Sequence, residues 1–394
     1  MSRMVLNGVV LASLIAGSSF SSAASAATPT ITSAQLTDST VVISGANFGT
    51  KAVAAPFFYQ DFTTNNGVKD ADLLIGYANQ RQYSSTSYGS FTTVDTSLGR
   101  TPGRGALKLD IAAGAADYFP HVSLNTSNTG RGTLTSQSTD ELFISYWVKS
   151  ELVSGTPSGN LLQIKAARSG TGGPSTDYYR NYPLYVSSMY PRSDASGYTG
   201  TYQETRNSSG TTSSGEHFDT ANISMWRGNG WNFVEIWQKY NTPGIADGFF
   251  RYRINGVNID DGIASASLNS ILVRNSGDGA KHFDYTMLAP GVDIPGNTST
   301  GKYRLLFSEH YVDTTPQRVM IGNASTLSAS TGGLLCPPIS WNNGSITVTA
   351  ENIPAGYQWV YVVNNAGETN PTGFPLSNYA APRPTPPSDV TVVR

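Results

Sequence analysis

A chain of 394 residues with 40 Gly, 21 Tyr and only 13% charged residues has the composition of many short strands joined by turns, and helical periodicity is nearly absent from it. Its formal net charge of -2 supplies no global basic field of the kind that nucleic-acid binding relies on, so no nucleic-acid partner is expected. With Cys336 the single cysteine, there is neither a disulfide framework nor a cysteine metal cluster, and stability has to come from a large apolar core.

Residues 1–26 begin with Arg3, continue through the apolar run Val5 to Ala16 and reach Ala24-Ser25-Ala26, a small-residue cleavage pattern of secretory type. A mature chain starting near Ala27 is expected to work outside the cytoplasm, secreted or at the extracellular surface. No later segment has the roughly 18 consecutive apolar residues of a membrane span, so none is expected to cross a membrane.

The first mature segment contains two short alternating runs, Thr30 to Leu36 and Thr40 to Ser44, followed by Gly45-Ala46-Asn47-Phe48-Gly49. This resembles the opening of the immunoglobulin-like TIG (IPT) domains. Two strands cannot bury a core by themselves. The matching later strands stand at the far end, in Ile339 to Thr349 and Gln358 to Gly367, so the resemblance implies one split β-sandwich of residues 27–55 and 337–379. Residues 56–327 are then an insert, and 380–394 form a Pro-rich tail.

Within the insert, Asp140 to Lys149 alternates Ile144, Tyr146 and Val148 with Phe143, Ser145 and Trp147. Asn160 to Lys165 sends Leu162 and Ile164 to one side, and Gln163 and Lys165 to the other. Between Trp231 and Val257 two runs flank the turn Asn241-Thr242-Pro243-Gly244. In them Val234, Ile236, Phe250, Tyr252 and Ile254 are expected in the core, while Glu235, Trp237, Lys239, Arg251 and Arg253 share the opposite face. Tyr303 to Asp313 is a further strand. Long alternating strands with a polar, aromatic-bearing second face predict an all-β fold of two stacked antiparallel sheets, one of them curved and open.

The order Phe143-Ile144-Ser145-Tyr146-Trp147, then Leu161-Leu162-Gln163-Ile164-Lys165, then the segment around Lys239 with its Asn-Thr-Pro-Gly turn, then Tyr311-Val312-Asp313-Thr314-Thr315, is similar to concanavalin A-like jelly-roll proteins related to polysaccharide lyases of the alginate and glucuronan lyase type. The resemblance implies a jelly roll whose concave sheet is a glycan groove. Fold does not establish activity.

A glycoside hydrolase needs two carboxylates about the scissile bond. In jelly-roll hydrolases these form an E-x-D-x-x-E pattern, which is absent, so hydrolysis is disfavoured. A lyase acting on a uronic acid needs a cation or amide to neutralise the carboxylate, and groups to take and give a proton. Lys239, Arg251 and Gln163 are the catalytic candidates if the chain is a lyase. Trp237, Glu235, Arg253, Lys165, Trp147 and Tyr182 are the substrate-binding candidates. Each has a structural alternative: Trp237 and Trp147 as cover for a sheet, Glu235 as the partner of Arg251 or Lys239 in a cross-strand ion pair. The four histidines lack metal spacing and are expected to be structural, and Asp260-Asp261-Gly262 reads as a turn rather than a calcium loop. No metal or cofactor is expected. The leading reading is a secreted protein that recognises an acidic polysaccharide in a jelly-roll groove. The alternative is a lyase that cleaves a uronate polymer by β-elimination, and a weaker one is a structural or adhesive surface protein.

Overall fold

A computed structural model describes residues 27–63, 81–82, 93–111, 117–118, 122–125, 139–155, 162–170, 184–190, 201–206, 212–218, 230–258, 274, 276, 283, 285–293 and 302–377. For 81–82, 93, 111, 117–118, 122–125, 162–170, 184–190, 201–206, 212–218, 250, 252, 257–258, 285–293 and 303 it describes the backbone. The described elements are all strands, so the all-β expectation holds.

Two eight-stranded antiparallel sheets form the jelly-roll sandwich. The front sheet runs in the order Val257–Asn258, Phe249–Ile254, Asn232–Lys239, Glu141–Ser154, Lys302–Asp313, Ala106–Ile111 and Thr93–Asp95, with Phe58–Gln60 also on Lys302–Asp313. The back sheet runs Thr212–Phe218, Thr201–Arg206, Leu184–Tyr190, Leu162–Gly170, Tyr285–Asp293, Val122–Asn125 and Arg81–Gln82, with Asp117–Tyr118 beside Tyr285–Asp293. Alternation decides the facing. Ile144, Tyr146, Val148, Val234, Ile236 and Ile254 are all buried, as the sequence pattern requires of the side that meets the other large sheet. Ile236→Ala is expected to cost about 2–5 kcal/mol of stability in chemical denaturation; a loss under about 0.5 kcal/mol, typical of exposed sites, would mean that this facing is inverted.

The opposite face is where the structure departs from the simple pattern. A half-exposed sheet should bury every second residue, yet Glu141–Ser154 buries seven residues in a row from Leu142 to Val148. Asn232–Lys239 is likewise buried through Ile236. A second layer covers this face.

That layer is a smaller sandwich. Its outer sheet has the order Thr30–Thr37, Thr40–Ala46, Ser345–Thr349, Pro338–Trp341, and its inner sheet the order Gly333–Cys336, Arg318–Gly322, Trp359–Val363, Phe374–Pro375. Segments from the two ends of the chain are thus direct neighbours, Val41 opposite Val348 and Ile43 opposite Ile346. Between the sheets, Val41, Ile43, Ile346 and Val348 meet Val319, Ile321, Val360 and Val362 in one apolar cluster. The alternate residues of the inner sheet, Met320, Leu335 and Tyr361, form a second cluster with Phe143, Trp147, Phe233 and Tyr311 of the front sheet. The inner sheet is therefore buried on both faces, which is why Arg318–Gly322 and Gly333–Cys336 read as continuous buried runs.

Arg318–Gly322 corrects a boundary. By sequence it falls in the jelly-roll segment 56–327, but it pairs residue for residue with Trp359–Val363. The chain leaves the front sheet after Asp313 and enters the inner small sheet at Arg318; a short run such as Val319-Met320-Ile321 fits a strand in either sheet, and only the pairing decides.

Candidate functional site

The turn that carries the most specific part of the sequence resemblance is a brace. Asn241 accepts from the backbone N–H of Arg274 through Oδ1 (2.8 Å) and donates to its carbonyl through Nδ2 (2.8 Å). Asp247 accepts from the backbone N–H (2.6 Å) and hydroxyl (2.7 Å) of Thr242. Gly244 takes φ +79°, where an added Cβ would press on Ser276 at 3.0 Å, so glycine is required there by both conformation and space. The anchored Arg274 lies 5.0 Å over the Tyr240 ring, which stacks on Phe283 at 4.0 Å. Asn-Thr-Pro-Gly therefore fixes a loop to its neighbour rather than presenting groups to a ligand.

On the front sheet, Glu235 is only 5% exposed and accepts from Nη2 of Arg318, itself 2% exposed. Arg318 also donates through Nη1 to the Pro316 carbonyl (2.8 Å) and lies 4.5 Å over the Phe143 ring. Burial holds its guanidinium below the usual range, against the upward pull of Glu235. The expected partners of Glu235, Arg251 or Lys239, are thus replaced by an arginine from the small sandwich. Trp147, 2% exposed, packs at 4.9 Å against Phe233 and lies under Arg100 at 4.1 Å. Arg100 in turn donates to Glu309 through Nη2 (2.6 Å) and Nε (2.9 Å). Arg104 lies 3.3 Å from Glu309 and donates to the Tyr59 hydroxyl; Lys51 binds Asp313 nearby. Burial pulls the Lys51 ammonium down and the Asp313 carboxyl up. This face is held under the small sandwich by ion pairs around an apolar centre, so Glu235 and Trp147 serve the joint between the two units.

Trp237 sits at the rim of that joint. Its Nε1 donates to Glu141 (2.7 Å), the Arg251 guanidinium lies 4.8 Å over its ring, and Gly367 of the small sandwich approaches so closely that an added Cβ would be 3.0 Å from Cζ3. The ring that was expected to carry a sugar is stacked on by Arg251 instead. Burial pushes the Glu141 carboxyl up, opposed by the Trp237 hydrogen bond and by Lys239 and Arg251. Lys239 is exposed at the strand end, opposite Glu141 and Phe249. A narrow cleft nevertheless brings four of the expected residues together: Glu235, Trp237, Arg251 and Arg253 line it with Phe143, Pro316, Arg318 and Gly367.

Gln163 and Lys165 are not part of that wall. Leu162–Gly170 belongs to the back sheet, across the jelly-roll core from Asn232–Lys239, which corrects the expectation of one shared surface. Tyr182 lies outside the described residues. The backbone register shows what accompanies Gln163 and Lys165. Directly opposed residues of antiparallel strands share a face: Gln163 is opposite Met189, Lys165 opposite Ser187 and Arg168 opposite Tyr185. Further along, Tyr185 is opposite Glu204, Ser187 opposite Tyr202, and Tyr202 opposite His217. Asp293 stands opposite both Gln163 and Asp117. The intervening positions include Ile164, Val186, Leu184, Leu288, Val292 and Leu124. A register shift between Lys165 and Ala167, present toward both neighbours, marks a bulge in the middle of this face. Arg168, Tyr202 and His217 are the additions that sequence reasoning missed, since only the strand pairing puts them beside Lys165. Among the described residues no group of three or more His, Cys, Asp or Glu could hold a metal ion, and no helix is long and apolar enough to cross a membrane.

No family model matches the chain, and no curated protein matches it in sequence. Among solved structures it is similar to the marine PL-14 alginate lyase from Aplysia kurodai, at 14% identity and a TM-score of 0.44 over 66% of this chain and 100% of that one. It is also similar to the endo-β-1,4-glucuronan lyase from the fungus Trichoderma reesei, at 12% identity and 0.41 over 66% and 96%. The cellulose-induced protein Cip1 is similar at 12% identity and 0.35 over 63% and 97%.

Proposed function

We propose that the protein is exported and binds an acidic polysaccharide along the polar face of the back sheet. The observation that carries this reading is the register row Gln163, Lys165 and Arg168, Tyr185 and Ser187, Tyr202, His217. Lysine and arginine meet carboxylates, the amide and hydroxyls meet sugar hydroxyls, and tyrosine rings offer apolar faces with a polar edge. Four neighbouring strands about 4.8 Å apart make the row roughly 15 Å long, which suits an extended polymer better than a compact ligand.

β-Elimination on the same face is the second reading, favoured by two register pairs, Tyr202 with His217 and Tyr185 with Arg168. In that chemistry a base takes the proton beside the uronate carboxylate while a cation or amide holds the developing charge. The C–O bond to the leaving sugar breaks, a C=C bond forms, and an acid returns a proton to the leaving oxygen. The pairs supply the residue types for both transfers.

The test incubates the protein from Ala27 onward with alginate, polyglucuronate and a neutral glucan, following unsaturated-uronate absorbance and retention on the immobilised polymers. Retention of the two acidic polymers without absorbance growth is the result expected of a binder, and growth assigns the lyase. Lys165→Ala should weaken retention roughly tenfold, the worth of one charge-assisted hydrogen bond, and Lys239→Ala should leave it unchanged. Retention of no acidic polymer, or loss with Lys239→Ala and not with Lys165→Ala, overturns the assignment.

A further inference from the structure

Lys51 is a buried amine that the polysaccharide face of the back sheet does not use. It lies between Thr40–Ala46 of the small sandwich and Phe58–Gln60 of the front sheet. Its Nζ is 2.5 Å from Oδ2 of Asp313, 262 residues further along, and the two side chains are 2% and 4% exposed. Nζ stands 5.8 Å over the Trp341 ring, and the Ala54 carbonyl accepts from it at 2.8 Å. Asp313 is held as firmly: Tyr311 donates its hydroxyl to Oδ2 (2.8 Å), and the backbone N–H of Thr314 donates to Oδ1 (2.8 Å). The neighbouring buried pairs, Arg318 with Glu235 and Arg100 and Arg104 with Glu309, use guanidinium groups, which keep their proton. A lysine amine can lose it. Burial is the largest influence on both Lys51 and Asp313, pulling the ammonium down and the carboxyl up, so the pair is driven toward amine and carboxylic acid, the forms that react with each other.

We propose that Lys51 and Asp313 condense into an intramolecular amide that ties the small-sandwich end of the chain covalently to the front sheet. The step is a loss of water and needs no oxidant or added group. A proton passes from Nζ to the carboxylate. The amine lone pair then attacks Cγ, which lies no more than one C–O bond beyond the oxygen that Nζ already touches, and Oδ1 takes the displaced electron pair under the Thr314 N–H. Tyr311 gives its hydroxyl proton to Oδ2 and takes one back from the nitrogen, the Cγ–Oδ2 bond breaks with its electron pair, and the products are the amide and one water. In bulk water hydration of the two charges opposes this reaction, and burial has removed that hydration. Two groups held in contact also react at effective concentrations of roughly 10⁵–10⁸ M. The bond would close the strands from Phe58–Gln60 to Lys302–Asp313 into one covalent loop, a staple that a chain with the single cysteine Cys336 cannot make from a disulfide.

The intact mass of the protein from Ala27 onward, unfolded in guanidinium chloride, is expected to fall short of the sequence mass by about 18 Da, the water lost. Trypsin should then leave Lys51 uncut and release Ala27–Lys69 joined to Leu305–Arg318, which distinguishes this amide from dehydration elsewhere in the chain. Lys51→Arg and Asp313→Ala should each show the full mass of the variant and release the two peptides apart. Tyr311→Phe should slow the linkage by about a hundredfold or more, read as unlinked chain in the purified protein; complete linkage in that variant would overturn the proton route through the hydroxyl. The wild-type mass and peptides decide without the variants, so a variant that fails to fold does not remove the test. A wild-type mass equal to that of the sequence, or a lost water with the two peptides found apart, overturns the proposal and leaves Lys51 and Asp313 an ordinary ion pair.

Discussion

Glu235→Ala is expected to lower stability by about 3–5 kcal/mol, because it leaves the Arg318 guanidinium buried without its counter-charge. The loss should appear in the transition that separates the small sandwich from the front sheet, so two probes are needed: Trp fluorescence, which senses the joint through Trp147 and Trp237, and far-ultraviolet circular dichroism, which senses the strands. Combining Glu235→Leu with Arg318→Met should recover much of the loss, since apolar residues of similar volume replace a buried ion pair at little cost. A loss under about 0.5 kcal/mol in Glu235→Ala would return Glu235 to a solvated surface and remove the joint as described.

The second large effect is on acid stability. His310 is buried between the rings of Phe58 and Tyr146, at centroid distances of 5.1 and 6.3 Å, and its Nδ1 has no hydrogen-bond partner. Burial pulls the imidazole from 6.5 down to about 3. The folded state keeps it neutral where the unfolded chain takes up a proton, so stability is full above pH 6.5 and is lost progressively as pH falls from 6.5 toward 3. At about 1.4 kcal/mol per unit, the loss from this one group reaches about 2 kcal/mol at pH 5 and approaches about 5 kcal/mol near pH 3. His310→Leu should flatten the acid limb by that amount between pH 6.5 and 3, whatever it does to stability at neutral pH. Parallel pH profiles for the two proteins would show that the imidazole is not the group that limits acid tolerance.

The joint also explains why a local reading of the front sheet finds the core side and misses what covers the other face. Val234 and Ile236 were legible as core from alternation alone. Glu235 and Trp237, one step out of phase, look like ligand groups because a strand pattern distinguishes two faces and cannot say what covers the second. The charged partner that neutralises Glu235 is Arg318, 83 residues away, and the one over Trp147 is Arg100. No spacing rule links such positions. Lys239, Arg251 and Gln163 likewise satisfy the residue types of a lyase, but the strand of Gln163 lies in the other sheet.

The all-β class, the alternating strands and their core side are written in the amino-acid sequence, because these depend on period-2 hydrophobicity and turn chemistry within a few residues. Tertiary structure alone decided which sheet each strand joins, that Arg318–Gly322 crosses to the small sandwich, and that this sandwich sits on the front sheet and leaves the row around Lys165 on the back one. Strand order and layer contact are long-range choices among many pairings of similar local energy. They are settled by which apolar faces can be buried together, and a single strand carries no record of its partner.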